Sequence, residues 1–170
     1  MKSKHILSSD EKLKQWGYGE WVEEPDLIEF EHQNIKCRII RVSAHEMNGS
    51  LFGGHLCGYI CIPEGHPWKG LGENALYDNI DVHGGITYNK EEEDGYWIGF
   101  DCAHSSDIVP SLEVFRNKYR NSVWEKYIKD LKRRYPSSTR FNPTYKNINF
   151  VIEQCESLAE QAHRLIKNNS

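Results

Sequence analysis

Five residues within a span of 27 carry most of the chemistry this chain can offer: Asp81, His83, Asp101, His104 and Asp107. An imidazole titrates near neutral pH, and a carboxylate beside it fixes its tautomer, so a His/Asp pair can act as a general acid or base. Two imidazoles with one or two carboxylates can instead hold a divalent metal, which lowers the pKa of a bound water and generates hydroxide for hydrolysis. The spacing HGGIT…FD-x2-H-x2-D fits neither the helical HExxH motif nor a calcium loop, so both chemistries stay open.

The segments around these residues read as two strands. Ile80, Val82, Ile86 and Tyr88 alternate with Asp81, His83, Gly85 and Thr87, while Tyr96, Ile98 and Phe100 alternate with Trp97, Gly99 and Asp101. With NKEEEDG as the loop and Tyr88 opposite Tyr96, Thr87 faces Trp97, Gly85 faces Gly99, and His83 faces Asp101. Facing residues have Cβ atoms about 4.5–5.5 Å apart, so imidazole and carboxylate would touch. The paired glycines would clear a floor for a ligand beside them. Everything in this arrangement depends on register, because a slip of one residue sends a side chain to the other face.

His104 and Asp107 follow Asp101 at spacings of three and share a face if the chain turns helically there. Asp107 also suits a turn or helix cap, and Asp81 is placed to orient a histidine. Upstream, Pro63-Glu64-Gly65-His66-Pro67 is a rigid loop after a strand, a good position for a functional carboxylate and imidazole. The expected catalytic set is therefore His83, Asp101, His104, Asp107 and Glu64. Expected ligand contacts are Gly84, Gly85, Thr87, Trp97, Gly99 and His66, and the expected metal ligands are His83, Asp101 and His104. Cys102 alternates away from Asp101 and belongs to the core. Cys57 and Cys61 share a strand face but stand about 13 Å apart, too far to share a metal.

The elements that must position these groups follow from the hydrophobic pattern. Ser8 to Glu11 fits a capping box that opens a short helix stopped by Gly17. Leu27 to Phe30 and Ile35 to Val42 form a hairpin around His32-Gln33-Asn34, and Leu56 to Ile62 is a strand closed by Pro63. Helical spacing recurs through Leu112, Phe115 and Tyr119 and again from Val123 to Tyr135, with Asn121-Ser122 between the two runs. The clearest helix runs from Ile148 to Ile166, with an apolar stripe from Ile148 and Val151 to Leu165 and Ile166. The fold class expected is α+β: a mostly antiparallel sheet of four to six strands packed on carboxy-terminal helices.

At 170 residues the chain is expected to form one domain, 1–170, that buries its core without staples. Mean hydropathy is low at −0.70, yet five Trp and nine Tyr are present, which favours a globular protein with a polar cleft over a disordered one. A net charge of −4 gives no footprint for general nucleic-acid or membrane binding. The basic cluster Lys126, Lys129, Lys132, Arg133 and Arg134 reads as a solvated helix face. The five cysteines include no CxxC pair, the segment MKSKHILSSDEK holds no apolar core of signal-peptide length, and no apolar run reaches spanning length. A cytoplasmic protein with reduced thiols is the expectation.

Three segments carry a resemblance. Ile62-Pro-Glu-Gly-His-Pro67, Val82-His-Gly-Gly-Ile-Thr-Tyr88 and Trp97-Ile-Gly-Phe-Asp-Cys-Ala-His104 with Asp107 resemble an uncharacterised family carried by bacteriophages and prophages, and Val151 to Leu158 is similar too. The resemblance implies a mobile-element setting, in the host cytoplasm, and an accessory protein that acts on a nucleotide or counters host defence. Two readings follow. One is a hydrolase acting on a nucleotide or phosphodiester-like substrate through the His/Asp site, with or without a divalent metal. The other is a protein that sequesters a nucleotide-like small molecule on the glycine floor, with Trp97 or Tyr88 stacking its base.

Overall fold

The computed structural model describes all residues except 44, 48–49, 73–74, 77–78, 119–121, 138–142 and 169–170. The strands, in chain order, are β1 (Lys2–Lys4), β2 (Leu27–His32), β3 (Ile35–Arg41), β4 (His45–Met47), β5 (Ser50–Phe52), β6 (Leu56–Ile62), β7 (Tyr88–Glu92) and β8 (Gly95–Asp101). The helices named here are α1 (Ser9–Trp16), α2 (Pro110–Lys118), α3 (Ser122–Arg134) and α4 (Ile148–Asn168). Six strands form one antiparallel sheet in the order β1-β2-β3-β6-β8-β7, and β4 and β5 pair as a separate hairpin. The fold is α+β, as the pattern of the sequence predicts.

Period-two alternation puts one face of the sheet against α4. Ile28 on β2, Cys37 and Ile39 on β3, Ile60 and Ile62 on β6, and Ile98 and Phe100 on β8 are buried there. They meet the stripe Val151, Cys155, Leu158, Ala159 and Ala162 of α4, whose sides of chain are wholly covered. The cover comes from α4, lying across β6, β3 and β2, whereas α2 packs on α1 and β5. The β2–β3 turn is Gln33-Asn34, both at positive φ (52° and 61°), which is the two-residue hairpin turn whose twist suits its strands. Ser8 caps α1 reciprocally with Glu11, and Gly17 ends that helix at φ 68°. The expected cap at Asn121, together with Tyr119 and most of the loop before Pro143, lies outside the described residues.

The second half of the expected site hairpin is present and the first half is not. Tyr88 pairs with Gly99 and Glu91 with Tyr96, and the turn is Glu93-Asp94. The partner of Tyr88 has thus moved three residues along β8, an odd shift that puts Tyr88 on the face of Trp97 and Gly99. Residues 80–87 are not a strand. Gly84 and Gly85 both have positive φ, 69° and 83°, and the chain turns at His83-Gly84 with the Gly85 N–H donating to the Val82 carbonyl at 3.0 Å. Ile80 and Ile86 are still buried, so their apolar alternation reports a loop that inserts into the core.

One charged group lies inside this fold at the base of α4. Arg41 ends β3 on the buried face and donates to Asp26 at 3.0 Å, Glu24 at 2.7 Å, the Gly54 carbonyl at 2.8 Å and the Tyr145 hydroxyl at 2.8 Å. Lys12, wholly buried, adds an ion pair to Asp26 at 2.9 Å and donates to the Glu24 carbonyl. Glu24 also accepts the Ile148 N–H, the first of α4, at 2.9 Å. Buried charges persist only when paired and hydrogen-bonded, and here every one is. The group fixes where α4 begins.

Candidate functional site

The loop carrying His83 is held by α4. Gln161 accepts the Asp81 N–H at 3.0 Å and returns a hydrogen bond to the Asp81 carbonyl at 2.8 Å, while Gln154 accepts the His83 N–H at 2.8 Å. The two glutamines are seven residues apart, two turns along one face of the helix. Phe150, a turn earlier, stands edge-on to the His83 ring with centroids 5.3 Å apart. His104 and Asp107 come from the turn that follows β8, which is closed by the Asp107 N–H donating to the His104 carbonyl at 2.9 Å. That turn is tied to the segment preceding α4 by the Asp107–Thr144 bridge and by the Ile108 N–H on the Thr144 carbonyl at 3.0 Å.

These three segments converge on one carboxylate. Asp107, whose side chain is fully buried, lies 2.9 Å from His83 Nε2 and 3.3 Å from His104 Nδ1, and it accepts the His104 N–H at 2.9 Å. The two imidazoles stand perpendicular, 5.2 Å between centroids, and both reach solvent in part. Burial works against ionisation of Asp107, but the hydrogen bonds from His83 and from the His104 backbone outweigh it and hold its pKa below the usual carboxylate value. An ionised carboxylate only accepts, so His83 Nε2 and His104 Nδ1 are the protonated nitrogens. The nitrogens not engaged by Asp107 are His83 Nδ1 and His104 Nε2.

The same three donors suit a metal ion. One atom from each of His83, His104 and Asp107 lies within 4.8 Å of the others. Tetrahedral ligands at about 2.0–2.1 Å from a zinc stand about 3.4 Å apart, the scale of the distances from Asp107 to the two rings. A cation held on the nitrogens that face Asp107 would move each ring's proton to its other nitrogen.

Asp101 does not face His83. Its Oδ1 accepts the Ala103 N–H at 2.9 Å and lies 4.0 Å from His104 Nδ1, the nitrogen that also faces Asp107. The carboxylate that meets His83, and the one grouped with both histidines as a possible metal ligand, is Asp107 in place of Asp101. Gly84 has a different part from the one expected. A Cβ there would overlap the His104 ring, so the glycine gives His104 its room.

The remaining expected contacts are dispersed. Gly99 is no open floor, because the Tyr59 ring from β6 covers it, and its strand neighbour is Tyr88, not Gly85. Gly85 is buried in the loop, and Thr87 is exposed with its N–H on the Gly99 carbonyl at 2.8 Å. Trp97 is 2% exposed beneath the Arg38 guanidinium, 4.0 Å from its ring, with Nε1–H on Asp94 at 2.8 Å, and it has no free face for a base. His66 uses both ring nitrogens, one accepting the Trp68 N–H at 3.1 Å and one donating to the Ala162 carbonyl at 3.1 Å, so it anchors its loop to α4. Glu64 is exposed and pairs with Lys69 at 2.7 Å. It follows the end of β6 beside Tyr96, and the step from Tyr96 to Asp101, about 17 Å at about 3.4 Å per residue, lies between that end and Asp101.

Residues unflagged by spacing complete the site. Lys146, Phe150 and Gln154 recur every four residues into α4, beside its apolar stripe. Their sequence signature is that of an ordinary half-exposed helix edge. Among the described residues no helix is long and apolar enough to cross a membrane. No family model, no curated protein and no solved structure matches the chain.

Proposed function

We propose that the protein is a small hydrolase acting on a nucleotide or phosphodiester-like substrate, with His83, His104 and Asp107 as its catalytic cluster and Asp101 beside it. The observation that carries this reading is a fully buried carboxylate shared by two part-exposed imidazoles. Such sharing orients both rings and leaves one nitrogen of each directed away from the carboxylate, an acid and a base for the two proton transfers that ester hydrolysis requires. A divalent cation on the same donors would supply an activated water instead. In the mobile-element setting implied by the motif resemblance, the substrate would be a nucleotide of the host cell.

The test is turnover together with metal content. Untagged protein is assayed on bis(p-nitrophenyl) phosphate and a nucleotide panel, with and without added zinc or manganese, beside His83→Ala and Asp107→Asn. Turnover that drops by about 100-fold or more in both variants supports the assignment, as loss of an acid–base group commonly costs that much. A metal found in the wild-type protein and missing from both variants selects the metal-assisted route. If intact protein hydrolyses none of these substrates under any metal condition, or returns a co-purified nucleotide unchanged, the hydrolase reading is wrong.

A further inference from the structure

Lys146 is absent from the motif-bearing segments, yet its ammonium stands at the catalytic cluster. Nζ lies 3.9 Å from Asp107 Oδ1, the oxygen that is 3.1 Å from His83 Nε2, and it sits 5.1 Å from the centroid of the Phe150 ring, which also packs on His83. The side chain is 18% exposed. Among the described residues its one hydrogen bond is to Thr144 Oγ1 at 2.6 Å, and 3.9 Å is too long for a second to Asp107.

Asp107 Oδ2 takes both histidines and a backbone N–H, and Oδ1 shares the His83 Nε2–H, so Lys146 at 3.9 Å is not half of a closed ion pair. An ammonium has three donors, and a largely covered one with a single neutral partner is stabilised by a further acceptor bearing charge. At the start of α4 the Ile148 and Phe150 N–H groups are taken by Glu24 and Asn147. The charges at the cluster are those of side chains: the Lys146 ammonium and two imidazoles beside the buried carboxylate of Asp107 and the part-exposed one of Asp101.

We infer that Lys146 is the anion-recognising residue of this site and that the substrate presents a phosphoryl group to Lys146, His83 and His104 together. The inference deepens the hydrolase reading and rests on it for the identity of the site. Lys146 binds a non-bridging oxygen and offsets the charge that develops as water attacks.

Inorganic phosphate is the probe, titrated calorimetrically into the protein at constant ionic strength. Lys146→Met is expected to weaken phosphate binding by about tenfold or more, and Lys146→Arg to restore it to within about threefold, because a charge-assisted hydrogen bond is lost and then replaced. Lys167→Met, at the exposed far end of α4, is expected to leave it unchanged. Phosphate affinity indifferent to Lys146→Met, or no binding by the wild-type protein at millimolar phosphate, overturns the inference. The two readings fail separately. Turnover that depends on His83 with phosphate affinity indifferent to Lys146 removes only the Lys146 assignment. Phosphate binding that depends on Lys146 without any turnover keeps that assignment and removes the hydrolase.

Discussion

Single residues in the His83 loop are constrained by what stands next to them. Gly84 combines a left-handed φ of 69° with the His104 ring lying where its Cβ would be. Gly84→Ala therefore meets both a conformational and a steric penalty, for a loss of about 1–3 kcal/mol. The distinctive result is local: His104 must leave its position over the glycine, and its contact with Asp107 goes with it. Urea unfolding measures the first effect and the His104 imidazole resonances measure the second. A variant of wild-type stability with unshifted His104 resonances would show that the turn has room to spare.

At the scale of elements, the site depends on where α4 starts. Tyr145 and Ile148 are fixed by Arg41 and Glu24, and between them stands Lys146. Arg41→Ala removes the cation that serves Asp26, Glu24, Gly54 and Tyr145 at once, leaving buried acceptors without their donor. Breaking a buried ionic group from one side typically costs about 3–5 kcal/mol. Denaturant melts should show a loss of that size, and Lys146-dependent phosphate binding should weaken although no residue of the cluster has changed. Loss of less than about 1 kcal/mol would mean that water replaces the guanidinium, as at an exposed ion pair.

The whole molecule should be destabilised by acid in two steps. Burial lowers the pKa of His55 and His66, and His66 Nδ1 already accepts an N–H, so both are neutral in the fold. In the unfolded chain a histidine binds a proton below about pH 6.5. The unfolded state then holds more protons, and stability falls as pH drops through that region. Asp26 and Asp107 act lower on the scale. Burial opposes their ionisation, but hydrogen bonds from Leu7, Lys12 and Ile6 to the one, and from His83 and His104 to the other, keep both pKa values depressed. Their contribution is complete above about pH 3.9 and is lost as pH falls through their folded-state values. Urea midpoints measured from pH 8 to pH 2.5 should decline first below about 6.5 and again below about 4. His66→Gln should reduce the upper step alone, and an unchanged upper step in that variant would assign it to other groups.

Much of the frame was legible because it is local. The Ser8–Glu11 cap, the strand Leu56–Ile62 and the helix that begins at Ile148 each carry a local signal, a cap or a period that the apolar residues record. The candidacy of His83, His104 and Asp107 was legible too, since their residue types carry the chemistry and they lie close in sequence. Which carboxylate meets which imidazole was not. Alternation in Ile80-Asp81-Val82-His83 is equally served by a strand and by a loop that plugs the core, and two glycines at positive φ chose the loop. That choice separated His83 from Asp101 and delivered it to Asp107. Lys146, Phe150 and Gln154 were beyond reach for a different reason: they join the site only because a buried ionic group sets the start of α4, and pairings of that kind span the length of the chain. The sequence by itself determined the elements and the chemical inventory. Tertiary packing decided the partners, because side chains tens of residues apart are brought within hydrogen-bonding distance only when the sheet and its helix close over a common core.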